Sequence, residues 1–112
     1  IRRSFSLFEK GINYIMGVSN YNYSPVQALT ADDCGFLSYQ WPEFKGVKSQ
    51  EYPKLQVCNG SFYWARSSSF VKDKNIYSSG LIGYLMNDNE VCDVDVEGDY
   101  LNLKLKYKFS NR

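Results

Sequence analysis

Val91-Cys-Asp-Val-Asp-Val-Glu-Gly-Asp-Tyr100 sets two carboxylates at alternate positions of a short β-prone run, with two more acids directly after them. Residues two apart in an extended backbone project to the same face, so Asp93 and Asp95 form an oxygen-rich pair. Two adjacent carboxylates repel each other unless a cation lies between them, and hard oxygen donors suit Mg²⁺ or Mn²⁺. Asp-x-Asp is also a short and common string, and on its own a surface turn rich in acids is the plainer reading. Glu97 and Asp99 fall where a helix would begin, because the macrodipole favours acids in a first turn. Further on, Leu101, Leu103, Leu105, Tyr107 and Phe109 alternate with polar or basic residues as in a strand. Tyr100, Leu103 and Tyr107, in contrast, fit one face of a helix.

A second stretch lies upstream, Lys48-Ser-Gln-Glu-Tyr-Pro53, followed after a spacer by Asn59-Gly60-Ser-Phe-Tyr63. A basic residue with Ser-Gln-acid-x-Pro, then Asn-Gly-small-aromatic-Tyr, then Asp-x-Asp-x-Glu-x-Asp is an ordered set. From Pro42 to Tyr100 it resembles the carboxyl-terminal half of the acylneuraminate cytidylyltransferases, which activate sialic, legionaminic, pseudaminic and related nine-carbon acids as CMP conjugates.

The resemblance implies an α/β fold, the C-terminal part of a nucleotide-diphospho-sugar transferase, Rossmann-like and three-layered. Residues 1–20 and 54–112 would form the sheet part, and residues 21–53 a protruding β-hairpin arm that packs on a second subunit to make a homodimer. It implies a helix after Asp99, although Gly98 stands where the family usually has an acid. By the same resemblance Asp93 and Asp95 are the catalytic metal ligands for Mg²⁺ or Mn²⁺. Lys48, Gln50, Asn59, Gly60, Tyr63, Ile76 and Tyr77 would hold the sugar acid, with Ile76 and Tyr77 lining the acyl-sugar pocket. Lys48 can meet a sugar carboxylate as a mobile point charge, without the two-pronged geometry of arginine. Many family members carry arginine beside this glutamine, where this chain has Ser49, so the acid it takes stays open. The Phe62-Tyr63-Trp64 run looks closer to pseudaminic-type members.

The residues give these positions a chemistry of their own. Glycine lets a backbone approach a ligand closely, and an asparagine amide both donates and accepts hydrogen bonds to hydroxyls. The bland counterparts are an ordinary loop entry to a core strand at Asn59 and a solvated lysine at Lys48.

Composition sets the outer limits. The chain has 112 residues, 44% of them apolar, enough for one small domain with a core. Thirteen basic and twelve acidic side chains leave a net charge of +1, so no global field favours nucleic acid or an anionic membrane. Aromatic residues make up 17%, ten of them tyrosines, which suit sugar contacts and protein interfaces but also pack at sheet surfaces. Cys34, Cys58 and Cys92 are widely spaced and odd in number, which reads as free thiols in a reducing cytoplasm. No apolar run reaches the roughly 18 residues of a membrane span. The absence of histidine excludes any mechanism that needs a histidine base from this chain. The opening at Ile1 reads as the later part of a longer polypeptide.

Taken in order, residues 2–10 read as the end of a helix stopped by Gly11, and Tyr14–Val18 as a buried strand. Val26–Leu29 and Phe36–Tyr39 read as a hairpin joined by a turn-rich link. Tyr21, Tyr23, Phe36, Tyr39 and Trp41 give it an aromatic surface, which fits either an interface core or a ladder on a monomer's own sheet. Residues 44–52 read as loop, Asn59-Gly60 as a tight turn feeding a strand, Ser67–Ser69 as an N-cap before a short helix, and Leu81–Met86 as a strand.

The expected function is transfer of CMP from CTP to a nine-carbon 2-keto sugar acid with release of pyrophosphate. This chain would supply the sugar and metal sites. The family's glycine-rich, basic nucleotide loop has no counterpart in these residues, so it would lie upstream, and the isolated chain would be inactive. The competing reading is a non-enzymatic module whose tyrosines stack on saccharide or on a protein partner; it accounts for the composition but not for the ordered motifs.

Overall fold

Strand β1, Tyr14–Asn20, is the middle of a three-stranded sheet in a computed structural model that describes residues 1–110. Its Tyr-Ile-Met-Gly-Val run lacks polar alternation, the pattern of a strand covered on both faces. Tyr14, Ile15, Met16 and Val18 are accordingly buried. Strand β5, Leu81–Leu85, pairs with it in parallel, from Tyr14 opposite Leu81 to Val18 opposite Leu85. Strand β4, Gln56–Ala65, flanks the other side. It runs the opposite way, because the Arg66 N–H reaches the Asn13 carbonyl at 2.8 Å while Asn59, near the other end, reaches Ser19 at 3.1 Å. The protein is therefore α/β, built on a small mixed sheet.

Two parallel strands need a long crossover. Here it contains β4 and helix α2, Ser67–Asp73, which ends in a left-handed Lys74 with φ 54°. The Tyr14 hydroxyl donates to Asp73 at 2.5 Å and ties the end of that helix to the start of β1. The serines form the first turn of α2 rather than its cap, which is Arg66. Arg66 is fixed there because its guanidinium donates to the Ile12 and Glu9 carbonyls at 2.8 and 3.3 Å and lies over the Phe8 ring. Helix α1 is a single turn, Arg2–Phe5, and stops well before Gly11. Its Ser4 is fully buried, giving a hydrogen bond to the Ile1 carbonyl and taking one from the Trp64 indole at 3.0 Å.

By its internal contacts the chain divides into two units, residues 1–19 with 58–112 and residues 20–57. In the second, β2 (Leu29–Ala31) and β3 (Leu37–Tyr39) pair as a hairpin. The first hairpin strand thus begins three residues later than its sequence suggests, because Pro25–Gln27 is a 3-10 turn that buries Val26. Proline fixes φ and removes a donor, so it starts a turn more readily than a strand. The hairpin loop is held by Asp32, whose Oδ1 accepts the Cys34 and Phe36 N–H groups at 2.9 Å each. Two more 3-10 turns, Pro42–Phe44 and Ser49–Glu51, occupy what reads as plain loop.

Residues 91–94 have no regular structure and do not continue the sheet. Helix α3, Glu97–Ser110, follows and overrides the alternating leucines. Its start is held locally: Asp99, in the first turn, accepts the Asp95 and Val96 N–H groups through Oδ2 at 3.0 and 3.1 Å. Lys106 then donates to the Asp88 and Val91 carbonyls at 2.6 and 2.7 Å, anchoring the helix to the loop before it. No helix among the described residues is long and apolar enough to cross a membrane.

Candidate functional site

Gly60, with φ 70°, interrupts the alternation of β4 from within the strand. Asn59-Gly60 is therefore an irregularity inside Gln56–Ala65, not a turn that precedes it. On one side of this break the Asn59 amide spans two strands. Its Nδ2 donates to Ser19 Oγ at 3.1 Å, and its Oδ1 accepts from the Ser61 N–H at 3.1 Å and the Ser61 hydroxyl at 2.5 Å. This group lies against Gly17 of β1: a Cβ there would sit 2.8 Å from Asn59 Oδ1 and 3.0 Å from Met86 Sδ, and would overlap Ser61 Oγ. An isolated glycine in a buried strand marks such close approaches, so Gly17 was legible in principle.

Cys58 follows Val57 into this stretch, its Sγ 3.1 Å from the Tyr63 hydroxyl, and Tyr77 interacts electrostatically with the same thiol. Burial pushes the thiol up, but hydrogen bonds from Tyr63, the Gly60 backbone and Tyr77 together outweigh it and hold the thiol below its ordinary value. Each phenol responds in the opposite sense. Tyr63 is raised by its bond to the sulfur and then by the sulfur's charge, Tyr77 by that charge and then by its bond. Tyr77 is held by the loop before it: Asn75 Oδ1 accepts the Tyr77 N–H at 3.0 Å, and Ser78 Oγ donates to the Asn75 carbonyl at 2.7 Å. Ile76 sits half-buried in the same turn, while Tyr63 and Tyr77 are exposed.

Of the expected substrate residues, Asn59, Gly60, Tyr63 and Tyr77 thus gather around Cys58, with Ile76 beside them in sequence. From sequence Cys58 reads only as a free thiol, because it lies five positions before Tyr63, a spacing that assigns the two to opposite faces of a regular strand. Lys48 and Gln50 belong to the other unit, both exposed, Lys48 leading into the 3-10 turn that contains Gln50.

Asp93 and Asp95 lie in the irregular segment just ahead of α3, both exposed. Asp99 is committed to capping, whereas neither Asp93 nor Asp95 has a side-chain partner among the described residues. No three His, Cys, Asp or Glu side chains gather as a cation cage among the described residues. The donor set fits Mg²⁺, which is commonly held by one or two carboxylates with water and substrate phosphates completing its shell.

No family model matches this chain, and no curated protein matches it.

Proposed function

We propose that this chain supplies the sugar-acid and metal sites of a cytidylyltransferase that activates a nine-carbon 2-keto acid with CTP, releasing pyrophosphate. The observation that carries the reading is that Tyr63 and the Asn59-Gly60 break share one strand, with Tyr63 against Cys58, and that Tyr77, distant in sequence in the loop before β5, interacts with the same thiol. Tyr63 and Tyr77 offer ring faces and hydroxyls to a polyol, as sugar sites commonly do. Ile76, in the same turn as Tyr77, would line the acid's apolar side.

Asp93 and Asp95 would hold Mg²⁺ or Mn²⁺, which when bound offsets the negative charge of the transferring phosphoryl group. The nucleotide loop would lie upstream in a longer polypeptide. The contribution of this chain is placement: fixing the anomeric hydroxyl where it can attack the α-phosphorus, the term that dominates such transfers. The enzyme would act in the cytoplasm, as a homodimer joined through the hairpin region, where Tyr23 and Phe36 are 85% and 74% exposed. The same exposed aromatics favour a second reading, a non-enzymatic module that binds saccharide or protein.

Isotope-labelled chain titrated with pseudaminic acid and then with Mg²⁺ tests the proposal by NMR. The acid should perturb the amides of Asn59, Gly60, Tyr63 and Tyr77. Mg²⁺ should perturb residues 92–96, and that response should disappear in Asp93→Asn and Asp95→Asn. Binding of the acid with no metal response favours the binding module; no response to either overturns both site assignments.

A further inference from the structure

We propose that Ser19 is itself a ligand-contacting residue of the sugar-acid site, and that Asn59 serves chiefly to position it. This rests on the sugar-acid reading above. The argument is a count of hydrogen-bonding capacity. A side-chain amide oxygen has two lone pairs, and both on Asn59 Oδ1 face Ser61, whose N–H donates at 3.1 Å and whose one hydroxyl hydrogen goes to this oxygen at 2.5 Å in preference to the softer Met86 Sδ at 3.0 Å. One of the two Asn59 Nδ2 hydrogens is given to Ser19 Oγ. The amide is left with a single N–H and no acceptor. Ser19 Oγ, having accepted that bond, keeps its own hydroxyl hydrogen and a lone pair.

Ser19 is half-buried near the carboxyl end of β1. Beside it the Met86 N–H closes on the Val18 carbonyl at 2.9 Å, just past the end of β5. The two groups with free donors, Ser19 and Asn59, therefore stand at the carboxyl edge of two parallel strands, the edge where open α/β sheets hold their ligands. Two donors without a matching acceptor suit an oxygen acceptor on the ligand, such as a carboxylate or hydroxyl oxygen of a sugar acid. Gly17 makes the arrangement possible, since a side chain there would displace Asn59, Ser61 and Met86.

Calorimetric titration of the whole chain with pseudaminic, legionaminic and N-acetylneuraminic acid in turn, and of the variants with whichever binds, tests this. Ser19→Ala should bind about tenfold more weakly, the effect of losing one hydrogen bond to a charged or strongly polar group. Ser19→Cys, similar in size but without a hydroxyl, should match it, and Ser19→Thr should recover most of the affinity. Asn59→Ala should weaken binding too, and the double variant Ser19→Ala with Asn59→Ala should lose less than the sum of the two, with thermal midpoints recorded alongside to separate this from unfolding. Wild-type affinity in Ser19→Ala or Ser19→Cys overturns the inference while the sugar-acid reading stands. No binding by the wild-type chain overturns that reading, and the inference with it.

Discussion

The Cys58 thiol and the Tyr63 hydroxyl meet at 3.1 Å because Gly60, at φ 70°, breaks the alternation of β4 between them. The thiol is surrounded by donors and held below its ordinary value, so it should be alkylated at lower pH than a solvated thiol. Removing one donor in Tyr63→Phe should raise the pH midpoint for carbamidomethylation of Cys58, followed peptide by peptide by mass spectrometry. Equal midpoints in the two proteins would count against the contact.

Tyr14 gives a prediction in the alkaline range. It is wholly enclosed, and its phenol is pushed up to about 12 by burial, then by its hydrogen bond to Asp73 and by that residue's charge. A raised value means the folded state resists losing a proton that the unfolded chain gives up near 10.0. The stabilisation is therefore complete below pH 10.0 and declines as pH rises toward about 12. Thermal midpoints should fall across that window in the wild type and fall less in Tyr14→Phe. Parallel curves would refute the linkage.

At Gly17 the expected effect is steric. Gly17→Ala puts a methyl group 2.8 Å from Asn59 Oδ1 and 3.0 Å from Met86 Sδ, and should destabilise the fold by about 1–3 kcal/mol, the usual range for overpacking. Adding Ser61→Ala removes the most crowded atom and should restore part of the loss in urea titrations. A Gly17→Ala protein as stable as wild type would show the sheet to be looser than described.

Asp99 is the acid whose role is now local and structural. Asp99→Ala removes the first-turn acceptor for two backbone donors at the start of α3 and should cost about 1 kcal/mol, the net worth of such hydrogen bonds, with a loss of helical circular dichroism. Unchanged stability and helicity would mean the cap contributes nothing.

The strands were legible where the chain is apolar throughout, as in Tyr14–Val18, where burial on both faces leaves an unbroken run, and in Leu81–Leu85, which is apolar although only half-buried to exposed. The leucines after Asp99 were ambiguous because their alternation fits a strand; the helix is fixed by contacts that pattern cannot reveal, the Asp99 cap and the reach of Lys106 back to the Asp88 and Val91 carbonyls. Val26 misled because Pro25 turns the chain just where an apolar residue begins to look like strand. In the candidate site, Asn59 and Tyr63 could be named from motif order and Tyr77 from its place in the resemblance. Cys58, Ser19 and Ser61 could not, because they enter through a break in strand register and through hydrogen bonds to a neighbouring strand.

The central claim is tested most directly by pyrophosphate release from the full-length gene product that contains these residues. Incubated with CTP, Mg²⁺ and, in turn, pseudaminic, legionaminic and N-acetylneuraminic acid, it should release pyrophosphate with at least one acid, and only when all three components are present. Pyrophosphate release that does not depend on any acid, or none with any of them, would contradict the assignment.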